Sequence, residues 1–164
     1  MHNVIYPPVR RRAPAGTISV FLAGVIDMGN SHDWQAELLA SYEKSTVTTF
    51  YNPRRKDWDS GWKQTLDEDQ FVDQVNWEMD GIEQADFVFM YIAKDSQAPI
   101  SLLEFGFIVA TKPEKLIVCV EEGYWRRGNI EVMCNRYGVE LHPDFNGAKY
   151  ELSNRIAQRV QQIR

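Results

Sequence analysis

Two stretches, Phe87–Tyr91 and Leu116–Val120, each run without a charged or amide side chain. A strand with one wet face alternates polar and apolar residues, whereas an uninterrupted apolar run needs cover on both faces. That condition is met when parallel strands are joined by helices that pack on either side of the sheet. The chain between and around these runs supplies such helices. Residues 69–84 carry Phe71, Val75, Met79 and Ile82 at helical spacing, and 150–163 carry Leu152, Ile156, Val160 and Ile163. Ser31 or Asp33 caps a helix with Trp34, Leu38 and Tyr42 on one side. Ser101–Ala110 and Ile130–Arg136 complete the helices.

Ser19–Leu22, the β-branched and aromatic Val47–Tyr51, and a short Val139–Leu141 join the two apolar runs as strands. The expected fold is therefore α/β: a flavodoxin-like, five-stranded parallel sheet with helices on both faces. Residues 1–16 read as a flexible tail, because Pro7, Pro8 and Pro14 oppose helix and Arg10–Arg12 prefer solvent. Residues 17–164 then form a single domain.

Composition narrows the function. The 164 residues hold 18 Lys and Arg against 23 Asp and Glu, a net charge of −5, which argues against binding a nucleic-acid polymer. No apolar run reaches the ~20 residues of a membrane span, so no membrane partner is expected, and a cytoplasmic location follows. Two cysteines and three scattered histidines offer no metal-ligand spacing. Neither G-x-x-x-x-G-K-[ST] nor G-x-G-x-x-G occurs, which removes the common phosphate cradles. No metal and no organic cofactor is expected.

In such a sheet the site lies beyond the carboxyl ends of the strands, at the point where strand order reverses. Phe21-Leu22-Ala23-Gly24, the Gln74–Glu78 helix face and Ser101–Gly106 fall there, and Gly24 lets backbone approach a ligand closely. Ser101-x-x-Glu104 is a capping box on local sequence, yet a carboxylate in a first helical turn also stays ionised and can attack as a nucleophile. Gln74 and Glu78 share a helix face one turn apart. Two carboxylates converging on one pocket are what glycosidic chemistry uses.

These segments resemble the nucleoside 2-deoxyribosyltransferase family, in the branch with Asn-Pro-Arg-Arg and Gln-x-x-Trp-Glu. The matching blocks are Phe21–Gly24, Asn52–Trp58, Gln74–Glu78, Ser101–Gly106 and Gly123–Asn129, in order over roughly residues 17–140. The resemblance implies a homo-oligomer that moves 2-deoxyribose between nucleobases through a covalent glycosyl-enzyme. It aligns Glu104 with the nucleophile and Glu78 with an active-site aspartate. Asn129 aligns with an asparagine that a neighbouring subunit lends to the sugar's 5′-hydroxyl, and the Phe21 segment with one bearing an aromatic site residue.

Ala98 stands where an aspartate that handles the base is usual, with Asp95 nearby as its substitute if the loop is rearranged. The Asn52–Trp58 loop is either surface or a lid in which Trp58 or Trp62 stacks on a base; Arg54 or Arg55 would grip a 5′-phosphate. The implied substrates are nucleosides or nucleotides and free nucleobases. Two other functions stay open: a nucleoside or nucleotide N-glycosidase, in which water resolves the intermediate, and a non-catalytic nucleotide sensor.

Overall fold

The computed structural model describes residues 3–26, 32–55, 57 and 59–163. Among them the element order is β1 (Asn3–Ile5), β2 (Ile18–Gly24), α1 (Trp34–Ser41), β3 (Thr48–Tyr51), α2 (Asp69–Gln84) and β4 (Phe87–Ile92). There follow α3 (Pro99–Thr111), β5 (Leu116–Val120), α4 (Arg127–Tyr137), β6 (Leu141–His142) and α5 (Phe145–Ile163). The six strands are parallel throughout, in the order β1-β3-β2-β4-β5-β6. Without β1 this is the flavodoxin-like order, as expected, with one strand more than the sequence announced.

The extra strand corrects the reading of residues 1–16 as a flexible tail. Asn3–Ile5 pairs in register with Thr49–Tyr51 at the sheet edge. Beyond it the Val9 carbonyl accepts a hydrogen bond from Trp77 Nε1 at 2.9 Å, and the Ala13 amide donates to Tyr51 Oη at 2.8 Å. Arg10 lies 2.7 Å from Asp80 on α2. The prolines do exclude helix here; long-range partners rather than local pattern order the segment.

Each strand sends alternate side chains to two cores. Val88, Met90 and Ile92 of β4 face α2, α3 and α4, with Phe105, Ile108 and Ile130. Phe89 and Tyr91 face α1 and α5, with Trp34, Leu38 and Leu152. On α5 the inward residues are Ala148, Leu152 and Ile156, and the helix outlasts the sheet, leaving Ile163 55% exposed. On α2 the inward stripe is Gln74, Trp77, Gly81 and Ile82; Val75, expected inside, is 40% exposed. Among the described residues no helix is long and apolar enough to cross a membrane.

Strand order reverses between β2 and β4, whose parallel carboxyl ends therefore open on a crevice. Two glycines set how tightly its walls are built. Gly24 has φ +124°, and a Cβ there would fall 2.2 Å from the Tyr91 carbonyl oxygen. Gly81 lets α2 lie directly on the buried Phe21 ring, where a Cβ would be 2.6 Å from Cδ2. Gly81→Ala is expected to cost about 1–3 kcal/mol of unfolding free energy in urea, because the ring has nowhere to go. Gly147→Ala, whose Cβ would meet only the Asp144 carboxyl at 3.5 Å, is expected to stay within ~0.5 kcal/mol of the parent.

Candidate active site

The crevice holds a cleft of about 660 Å³, lined by the end of β2, the loops after β2, β3 and β4, and one face each of α2 and α3. That volume suits a ligand of nucleoside size. From α2 come Phe71, Gln74, Val75 and Glu78. Their spacing is i, i+3, i+4, i+7, a single helical stripe adjoining the one that packs on the sheet. Glu104 reaches in from α3, and Asp95 stands exposed on the loop after β4.

The capping box expected at Ser101-x-x-Glu104 does not form. Helix α3 begins at Pro99, where a missing N–H costs nothing, and its cap is Ala98 with a left-handed backbone, φ 50°. Ser101 and Glu104 therefore lie inside the helix, and Glu104 sits in the second turn rather than the first. The dipole argument for its ionisation weakens accordingly. Burial acts in the opposite sense: it pushes the Glu104 carboxyl up to about 8, and the nearby Glu78 adds to the rise. Glu78 is also raised by burial, opposed by the Gln74 amide, which donates to its Oε1 at 2.8 Å.

No cation relieves the pair among the described residues. Arg54 Nη1 lies 2.6 Å from Asp33, and Arg55 grips Asp57 through Nε and Nη2 at 2.8 and 3.1 Å while stacking on Trp62. With no counter-ion beside it, Glu104 holds its proton the more tightly when Glu78 is charged. Such a pair supplies an acid and an anion side by side.

The model of the family described as nucleoside 2-deoxyribosyltransferase like matches residues 17–124 of this sequence. The chain belongs to that family. A comparison with curated proteins gives no match. The matched stretch of this nucleoside 2-deoxyribosyltransferase like domain contains Glu78, Asp95 and Glu104, whereas Asn129 lies beyond it.

Of the residues singled out from sequence, Gly24, Gln74, Glu78, Asp95 and Glu104 are gathered on this cleft. Phe21 is not: its ring is fully buried beneath Gly81, 6.2 Å from Trp77, so its strand rather than its side chain serves the site. Trp58 lies outside the described residues. Asn129 is exposed in the first turn of α4 and does not line its own chain's cleft. Tyr124, in the Gly123–Asn129 block, is buried in its own chain and donates to the Gln97 carbonyl at 2.7 Å, which holds the cleft loop, while its neighbour Trp125 is exposed.

Phe71 is the cleft aromatic that sequence reasoning assigned to the core. Its signal was its place in a stripe with Gln74 and Glu78.

The raised Glu104 has a consequence for stability. A folded-state value near 8 against an ordinary 4.5 means the stabilising proton is fully held below 4.5 and lost as pH climbs through 8. Glu104→Gln removes that loss. Its melting temperature is expected to match the parent near pH 5 and exceed it by roughly 3 °C or more near pH 9. An advantage that is the same at both pH values would contradict the assignment.

Proposed function

We propose that this chain is a nucleoside 2-deoxyribosyltransferase that exchanges nucleobases on 2-deoxyribose. The observation that carries the reading is the pair of uncompensated carboxyls, Glu78 and Glu104, facing each other in the switch-point cleft of a chain of this family. Glu104, ionised, attacks C1′ as the glycosidic C–N bond breaks. The bonding electrons pass to the base nitrogen, which takes a proton from Glu78. An incoming base then attacks C1′, returns its proton to Glu78 and frees Glu104.

The reactive form has the pair's single proton on Glu78, one short transfer away from the resting form that favours Glu104. Asp95, exposed at the rim, is the second candidate for contact with the base. No step calls for a metal or an organic cofactor. Arg54 and Arg55 already have carboxylate partners, which supports neutral nucleosides over 5′-phosphates as substrates. The active unit in this reading is a homo-oligomer, with Asn129 of one chain meeting the 5′-hydroxyl in the cleft of another. Its exposed position away from its own cleft supports that role.

Deoxyinosine incubated with adenine is expected to yield deoxyadenosine by chromatography. Glu104→Gln should retain less than a tenth of this activity, since losing a nucleophile costs several kcal/mol of barrier. Release of hypoxanthine and free deoxyribose without exchange would instead make the protein a hydrolase.

The shared site has its own check. Mixing Glu104→Ala with Asn129→Ala chains should restore activity as hybrid oligomers form. No recovery despite proven subunit exchange would place the whole site in one chain.

A further inference from the structure

Gln74 is a buried amide on α2, 4% exposed, and both of its N–H bonds are accounted for. Nε2 donates to the Pro53 carbonyl at 3.1 Å and to Glu78 Oε1 at 2.8 Å. Among the described residues its Oε1 has no partner. An amide can be turned over, but here one neighbour forbids it: a proline carbonyl only accepts, so nitrogen must face it. With nitrogen fixed there, the second N–H is aimed at Glu78. The orphaned oxygen is the cost of holding that orientation.

We propose that Gln74 is a positioning residue that commits Glu78 Oε1 as a permanent acceptor, so that Oε2 alone carries and delivers the proton. A carboxyl oxygen that accepts an N–H is the poorer site for a proton, and the acid hydrogen goes to the other oxygen. The Pro53 carbonyl begins the loop that carries Arg54 and Arg55 into the cleft, so the same amide ties that loop to the proton donor. The inference rests on Glu78 being the proton donor of the proposed reaction.

Among the described residues, few charged groups line the cleft with Glu78. Glu104 faces it from α3, Asp95 lines the cleft from the loop after β4, and Arg54 and Arg55 line it from the loop after β3, paired with Asp33 and Asp57. None of these donates to Oε1, so removing the Gln74 amide releases that oxygen. Glu78 then becomes a weaker acid and so a poorer proton donor to the base, and its proton can sit on either oxygen.

The test combines a readout that needs no turnover with one that does. In protein labelled with ¹⁵N at glutamine side chains, one Nε2 proton of Gln74 should shift with pH as Glu78 titrates while the other stays put. The moving signal should lose its pH dependence in Glu78→Ala. In Gln74→Met, of similar volume, the Glu78 carboxyl carbon should titrate about one pH unit higher.

Kinetically, Gln74→Met should lower kcat for deoxyinosine at least about tenfold with KM little changed. The loss should shrink below about threefold for 7-methyl-2′-deoxyguanosine, whose cationic base departs without a proton. Two pH-insensitive amide protons, or an unmoved Glu78 titration, would overturn the proposal even in an active enzyme. Equal losses on both substrates, or an effect on KM alone, would overturn it too and make Gln74 a packing or substrate-binding residue. If wild-type protein exchanges no bases, the functional reading fails, and the NMR titration still decides whether Gln74 fixes the proton on Glu78. Should Gln74→Met not fold, the wild-type amide titration decides alone.

Discussion

Burial holds the carboxyls of Glu78 and Glu104, which line one cleft from α2 and α3, above the ordinary carboxylate range, and among the described residues no cation pairs with either. Ionising both would set like charges together in a poorly solvated site, so one carboxyl stays neutral over a wide range around neutrality. Much of the site follows from that constraint. Salt bridges occupy the cleft arginines elsewhere, and one amide, Gln74, biases which carboxyl is the anion. In the proposed reaction a pair held this way gives a proton and attacks, at a cost in stability that a structural core would not carry.

The scaffold keeps this pair from relaxing. Helix α2 is clamped to the sheet where Gly81 meets Phe21, and its first turns hold the loop after β3 through Gln74 and Pro53. That loop is anchored in turn: the Asn52 amide donates to the Ile5 carbonyl at 3.0 Å, and Asn52 Oδ1 accepts from the Arg54 amide at 3.0 Å. The edge strand β1 thus contributes to the site without touching it. On the other wall, Tyr124 fixes the Gln97 carbonyl just ahead of the left-handed Ala98, from which α3 starts.

The sheet was legible because its signals are local and strong. Leu116–Val120 and Phe87–Ile92 are continuous apolar runs, and Pro and Gly punctuation separates them from helices. Glu78 and Glu104 were legible as chemistry because few buried stripes carry carboxylates. Where reading failed, a distant partner decided. Asn3–Ile5 is too short to announce itself and is ordered by β3, while α2 holds the segment beyond it at Val9. Ser101-x-x-Glu104 mimics a cap, but Pro99 starts the helix two residues earlier. On α2 two adjoining stripes blur into one pattern, so Phe71 and Val75 looked like core when they face the cleft.

The most direct measurement is to trap the intermediate. A nucleoside with fluorine at the arabino 2′ position slows departure from a glycosyl-enzyme, because the electron-withdrawing group destabilises the oxocarbenium-like transition state. After incubation and proteolysis, mass spectrometry is expected to find one sugar adduct per chain, on the peptide that contains Glu104. An adduct on Glu78 instead, or steady turnover of natural substrate with no trapped sugar on either carboxyl, would contradict the account.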